Sequence, residues 1–353
     1  MPSPSMLRAR SKSHGYEDQG LQIQKHARDY RRYIVLFIRF ICIPVLLSRP
    51  AMMPPIQARQ AGTQPKSLHS APATSGPHIG HIVIVVGENA DASNAERKCQ
   101  WLVALGEKYA TATRYYANTH PSIGNYFAMT TGQVLTNNND RTPLTSQVSV
   151  DNVVRELLAA GKTWKAYAED IPSVGYVGRD HGKFATRHVP LPYLTDVQNS
   201  ATQRQNIVPF SQFAADLASD NLPNYSFVTP NLCNDAHDCP ITTFDNWLRT
   251  NIAPLLTNSQ FLRDGVLVVT WDEADSDNTN GGGRVQFVLA GPTVKTAYQS
   301  TTPYQHQSLC RMSLEGLGVT TLPTACASAP AMSEFFTTAP LPEPARQNRR
   351  SRP

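Results

Sequence analysis

HIVIVVG, residues 81–87, runs straight into Glu88-Asn89. Seven residues of mostly β-branched, apolar character with no polar alternation are the pattern of a strand buried on both faces of a parallel sheet. Similar runs recur at TWKAYAE (163–169), NYSFVTP (224–230), GVLVVTWDE (265–273) and RVQFVLAGP (284–292). Helical periodicity fills the spaces between them: 94–110, 150–161, 242–256 and 306–318. Strands alternating with helices predict an α/β sandwich, a mostly parallel central sheet with helices on both faces.

That architecture gives strand ends a meaning. In open α/β sheets ligands bind outside the carboxyl ends of the strands. Glu88-Asn89 and Asp272-Glu273 both sit at such ends. Carboxylates gathered on one edge repel unless protons or a cation intervene, so Glu88, Asp272 and Glu273 together point to a divalent metal of unspecified identity on oxygen ligands. Singly, each is equally an ordinary cap of the following turn.

Three further stretches carry chemistry. In THPSIGNYFAMTTG (119–132) Ser122 precedes an apolar helical pattern. It reads as a helix cap, or as a hydroxyl nucleophile for a phosphoryl group, with Asn125 one turn on donating to a phosphate oxygen. NLCNDAHDCP (231–240) has the residue types of a zinc cluster, but no further ligand pair follows at suitable spacing. Its Cys233 and Cys239 read better as a disulfide that holds Asn234, Asp235, His237 and Asp238 at a strand end. In TTPYQHQSLCRMSLEGLG (301–318) His306 heads a helix, where a cap, a metal ligand and a phosphate ligand are all open readings.

The formal net charge of +5 is unevenly spread. Residues 1–60 hold ten Lys/Arg against three acidic residues, a charge of +7 that leaves the rest of the chain at −2. No basic groove for nucleic acid is supported. Within 1–60, a basic run (KHARDYRR) leads into YIVLFIRFICIPVLL, 15 residues interrupted by Arg39. A bilayer-spanning helix needs about 20, so this segment reads as a secretory signal or an N-terminal membrane anchor. Residues 61–78 read as a linker, 79–336 as the folded α/β domain and 337–353 as a disordered tail. The expected location is secreted or periplasmic, or membrane-anchored through the N-terminus with the domain outside the cytoplasm. Cysteine usage suits export: with Cys42 in the presumed signal set aside, Cys233 with Cys239 and Cys310 with Cys326 are the economical bridges, and Cys99 is left as the free thiol.

Six stretches in register now resemble one family: GEN (87–89), HPSIGNY (120–126), TPNLCNDAHD (229–238), FDNWL (244–248), TWDEAD (270–275) and QHQSL (305–309). From about residue 79 to 322 the chain resembles the phosphoesterases that include bacterial secreted acid phosphatases and phospholipases C, a branch of the alkaline phosphatase superfamily. The resemblance implies an alkaline phosphatase-like sandwich and a metal-dependent hydrolase of phosphate esters, whether small molecules or lipid headgroups. A phosphomonoesterase working through a phosphoserine on Ser122 is its first reading, a phospholipase C or other phosphodiesterase the alternative, and an inactive binding protein a third. It implies Glu88, Asn89, Asp272 and Glu273 as metal ligands, with Asp235 as a further candidate, and Asn125 steadying the phosphate. His237 and His306 would serve the phosphate, although the division of duties among Asp235, His237, Asp238 and His306 stays open. One departure stands out: relatives carry a histidine where Arg284 follows the Gly-rich loop. Arginine cannot ligate a metal but can pair with phosphate, so a single tightly bound metal with Arg284 on the phosphate is the expectation.

Overall fold

The structure is a computed structural model that describes residues 79–337, all within a single compact unit. The signal or anchor (1–60), the linker (61–78) and the tail beyond Thr337 lie outside those residues. Thr337 itself donates its backbone N–H to Thr293 O at 2.8 Å.

Among the described residues ten strands form in chain order: β1 His81–Gly87, β2 Ala110–Ala112, β3 Tyr115–Tyr116, β4 Trp164–Ala168, β5 Ile207–Pro209, β6 Tyr225–Thr229, β7 Gly265–Trp271, β8 Phe287–Ala290, β9 Tyr298–Ser300 and β10 Tyr304–Gln305. Eight of them build one sheet in the order β5-β4-β6-β1-β7-β8-β2-β9, while β10 and β3 pair separately. β1 lies parallel to β6 on one side and to β7 on the other, in a register that sets Gly87 beside Trp271. Every residue from Ile82 to Gly87 is buried, as is every residue of β7, so both faces of the sheet centre are covered. Burying a Val or Ile side chain contributes roughly 1.5–3 kcal/mol. Truncating a central one such as Ile84 to alanine would cost about 2–5 kcal/mol.

The five strand runs expected from sequence all form, with one difference in direction. β8 runs antiparallel to both β7 and β2. A parallel return needs a crossover, usually helical, and the 272–286 connection holds only a short 3-10 turn at Thr279–Gly281. The segment therefore returns as an antiparallel neighbour.

The helix expected over 94–110 is two helices, Ala92–Lys98 and Gln100–Lys108, broken at Cys99. Asp245, on the helix Ile241–Asn251, accepts the N–H groups of Trp101 and Leu102 at 3.0 Å each and so caps the second helix. Cys99 is buried at the break, with Sγ turned toward Ile241 O, and its thiol is pushed up to about 12 by burial, then by Asp245. Both expected disulfides form, Cys233–Cys239 and Cys310–Cys326. Oxidised sulfurs are not zinc ligands, which closes the zinc reading of 231–240. Among the described residues no helix is long and apolar enough to cross a membrane.

Candidate active site

Three sheet strands deliver acidic residues to one edge. Asp272 N donates to Gly87 O at 3.1 Å, Glu88 N to Asp235 O at 2.7 Å and Ala90 N to Glu273 O at 3.1 Å. These bonds stitch the ends of β1 and β7 to each other and to the loop after β6. Asn89 takes φ 39°, a left-handed conformation that asparagine tolerates better than most residues. The disulfide loop is held from below: Glu169 accepts Asn231 N at 3.0 Å and Asn234 Nδ2 at 2.8 Å, and Asn231 Oδ1 accepts the N–H groups of Cys233 and Asn234.

Ser122 stands at the centre of this edge. It precedes the helix Ile123–Thr131 but makes no side-chain cap bond; its backbone is already helical and its hydroxyl is turned inward. Oγ donates to Glu88 Oε2 at 3.1 Å and lies 3.4 Å from Glu273 Oε1. Each glutamate is held by its other oxygen. Tyr126 OH donates to Glu88 Oε1 at 2.7 Å, and His120 Nδ1 meets Glu273 Oε2 at 2.8 Å. The capping reading of Ser122 is thus replaced by a hydroxyl shared between two carboxylates.

Burial dominates the electrostatics. Glu88, Asp272 and Glu273 are all pushed up from the ordinary carboxylate range, first by desolvation. Glu88 and Asp272 also repel each other, while His188 and His120 pull Glu88 and Glu273 the other way. Asp235 is raised to about 7 by burial, against the backbone N–H of His237. His188, fully buried, has Nδ1 at 3.2 Å from Asp235 Oδ2 and Nε2 at 3.2 Å from Glu88 Oε1, the latter off the hydrogen-bond direction. Burial carries His188 down to about 4, outweighing the attraction of Glu88. Acids driven toward protonation beside a neutral histidine describe a pocket short of positive charge.

The donor set answers what could supply that charge. Among the described residues no group of three or more His, Cys, Asp or Glu is drawn together closely enough to hold a metal as it stands. Yet Asn89 Oδ1 and both carboxylate oxygens of Asp272 are buried without a hydrogen-bond partner. Buried polar atoms are nearly always partnered, so three orphaned acceptors at one strand edge need an explanation. They are hard oxygen donors, the type that suits Mg²⁺, Ca²⁺ or Mn²⁺. On that chemistry the residues present fit a divalent cation.

Three expected site residues have other work. Asn125 does not reach for phosphate: its Oδ1 accepts Asn118 N and Thr119 N at 2.9 and 3.1 Å, and its Nδ2 donates to Thr119 O at 2.8 Å. Its carbonyl and one amide N–H go into shaping the turn before His120 and Ser122. His306 is also a positioning residue. Nε2 donates to Asp272 O at 2.6 Å and Nδ1 accepts from Tyr115 OH at 3.1 Å, with the ring fully buried and held neutral by burial. Neither nitrogen is left for a phosphate. Arg284 forks onto Glu96, Nη1 to Oε1 at 2.6 Å and Nη2 to Oε2 at 3.2 Å. That half-exposed pair spends the guanidinium outside the carboxylate edge. His237 does lie at the site mouth: a third exposed, it bonds Asp238 Oδ1 through Nδ1 at 2.7 Å.

His188, Tyr126 and His120 also touch the carboxylates of Glu88 and Glu273, and the sequence reading gave them no role. Tyr126 had a signal, since a helix places it one turn from Ser122 on the same face. His188 had none: it ends a 3-10 turn, Thr186–His188, in a segment without periodicity. A cavity of about 510 Å³ opens beside His237, with Asn89, Lys98 and Thr242 in its walls.

Residues 92–315 match the Phosphoesterase family, a span that begins just after Glu88 and Asn89. A protein of Mycobacterium tuberculosis named phosphatidylinositol-3-phosphatase is 34% identical over 65% of this chain and 74% of its own length. A probable acid phosphatase of Kluyveromyces lactis is 32% identical over 66% of this chain, which covers 57% of that protein. A solved structure of an alkaline phosphatase superfamily protein from Vibrio parahaemolyticus aligns at 11% identity with a TM-score of 0.48, covering 69% of this chain and 67% of that one. At that level it adds nothing to the fold read from the strands themselves.

Proposed function

The chain belongs to the phosphoesterase family, and from that premise we propose that it is an exported, metal-dependent phosphomonoesterase of the acid phosphatase kind with Ser122 as nucleophile. The observation that carries the reading is the Ser122 hydroxyl, buried at the helix start yet turned away from capping and toward Glu88 and Glu273. The relatives' names, acid phosphatase and phosphatidylinositol-3-phosphatase, support the same reaction class. Two disulfides among the described residues support an oxidising compartment.

Glu88, Asn89, Asp272 and Glu273 would hold the cation. When bound, it would lower the pKa of the Ser122 hydroxyl and offset charge on the phosphoryl oxygens. The chain's own residues do the rest. Tyr126 and His120 pin the far oxygens of the two glutamates, so that Glu88 Oε2 and Glu273 Oε1 orient Oγ before substrate arrives. Attack passes the Ser122 proton along its hydrogen bond to Glu88 Oε2, which returns it when the phosphoserine is cleaved; the Oγ–P bond forms and the P–O bond to the alcohol breaks. The leaving oxygen takes its proton from His237, which Asp238 orients. Water then cleaves the phosphoserine, releasing phosphate and restoring the hydroxyl. Asn125 and His306 act earlier in the chain of causes, fixing the Ser122 turn and the Asp272 backbone.

The test is hydrolysis of p-nitrophenyl phosphate with and without chelator, with mass spectrometry of acid-quenched protein. Phosphate on Ser122 is the expected adduct. Undiminished turnover in chelator would remove the metal, and an adduct elsewhere would remove Ser122. Faster turnover of a phosphocholine diester than of the monoester would shift the reading to a phosphodiesterase.

A further inference from the structure

A second cavity, about 740 Å³, opens among Asn139, Arg141, Thr142, Arg179, Asp180 and Arg187, with Asp140 also on its wall. It borders the catalytic edge at two points. Asn139 Oδ1 accepts the backbone N–H of Ile123, the residue after Ser122, at 3.1 Å. Arg187 precedes His188, and its Nη2 lies 3.5 Å from His237 Nε2.

The charges on this wall are not balanced. Arg187, only 14% exposed, spends Nη1 on Asp180 Oδ2 at 2.7 Å. Asp180 is further used by the N–H of Thr186 at 2.8 Å. Among the described residues neither Arg141 nor Arg179 has an ion-pair partner, and Asp140 is the one other acid facing the cavity. Two free guanidinium groups and the half-used fork of Arg187 therefore face one unpaired carboxylate. Solvated surface arginines would explain Arg141 and Arg179 taken alone. They do not explain why a mostly buried third arginine ties the same cavity to His237.

We propose that this cavity is a specificity site for a second phosphate, carried on the alcohol portion of the substrate. The chemistry is bidentate guanidinium recognition of a dianion, at a volume within the roughly 300–1,000 Å³ range of small-molecule sites. The substrate class is then a bisphosphorylated polyol whose scissile phosphate meets Ser122 while its other phosphate meets Arg141, Arg179 and the free face of Arg187. This rests on the phosphomonoesterase reading above and adds a substrate to it.

The experiment compares kcat/KM for fructose 1,6-bisphosphate, fructose 6-phosphate and p-nitrophenyl phosphate in the wild type and in Arg141→Gln/Arg179→Gln. The wild type is expected to favour the bisphosphate by about tenfold or more, as losing charge-assisted contacts implies. In the double variant that preference collapses, whereas p-nitrophenyl phosphate turnover stays the same. Lysine at both positions should restore part of the preference. Equal rates on the two sugar phosphates in the wild type, or a preference that survives the glutamine substitutions, would overturn the proposal. Calorimetric binding of the same two sugars to Ser122→Ala and to its triple variant with both glutamines reads the site without turnover. Tighter bisphosphate binding that the glutamines abolish supports it, and equal binding of the two sugars overturns it. Failure of the wild type to hydrolyse p-nitrophenyl phosphate would instead strike the phosphomonoesterase reading.

Discussion

This fold holds acids at the two ends of its sheet and at the strand ends of its centre, and it treats the two settings in opposite ways. At one end of the sheet, beside β9, half-buried Glu334 accepts hydroxyl bonds from Ser300, Tyr304 and Tyr298; near the other end, beside β4, buried Asp216 accepts Lys165, Tyr167 and Gln212. Burial raises both, yet those donors together outweigh it and leave both pKa values below the ordinary range. At the catalytic edge Glu88, Asp272 and Glu273 are raised, and Asp272 has no partner for either oxygen. The same residue types serve as mortar at the ends of the sheet and as an unfinished set, short of partners, at its centre. Local rules are broken where function needs them broken.

The largest effect should come from the centre of the unfinished set. Ser122→Ala should lower turnover of p-nitrophenyl phosphate by roughly a thousandfold or more, as loss of a covalent nucleophile does. Its melting temperature in chelator should fall modestly, since the buried Glu88 Oε2 loses the donor that Ser122 supplies. Turnover within tenfold of wild type would dissolve the distinction between the two regions.

Stability should respond with opposite signs in the two regions. Glu334→Gln removes a charge that three hydroxyls solvate and should destabilise by about 1–3 kcal/mol in urea melts. The pH dependence follows from its lowered folded pKa. Its contribution is fully present above the unfolded value of about 4.3 and is lost as pH falls through the folded pKa. The wild type should therefore lose its margin over the variant as pH drops below about 4. Asp272→Asn, measured in chelator, should instead stabilise by about 1–2 kcal/mol, because it removes a buried carboxyl whose ionisation is opposed by burial and by Glu88 and Glu273. It should lose activity all the same. A destabilised Asp272→Asn in chelator would mean that the edge is satisfied in a way the orphaned oxygens do not suggest.

The contrast also explains what could be read in the chain before its fold was known. β1 and β7 were legible because burial on both faces leaves an unbroken apolar run, and their ends carried the carboxylates with them. β2, β5 and β9 are three residues each, too short for any period to register. The catalytic stretches were legible as residue types and less so as roles. Asn125 and His306 have the right chemistry for phosphate, yet backbone groups and a tyrosine consume every polar atom they own. Only geometry reveals such spending. His188 was invisible for the converse reason: it lies in an irregular segment, and its importance comes from neighbours 100 residues away in one direction and 47 in the other.

Arg284 is the sharpest case of type without role, and it carries the smallest expected effect. Arginine in a histidine's place invites a phosphate contact, but Glu96 takes both terminal guanidinium nitrogens on a partly exposed surface. Exposed pairs contribute about 0–1 kcal/mol, and the backbone N–H of Arg284, which holds Asp277 at 2.8 Å, survives any side-chain change. The glycines before it do the local shaping. At Gly281, with φ 105°, an added Cβ would sit 2.2 Å from Asn118 O, in the backbone that leads to Ser122. Arg284→Gln should therefore leave kcat/KM on p-nitrophenyl phosphate within about twofold and stability within roughly 0.5 kcal/mol, whereas Gly281→Ala should cost more on both counts. A tenfold loss of kcat/KM in Arg284→Gln, with stability unchanged, would show that the guanidinium leaves Glu96 for the phosphate when substrate binds.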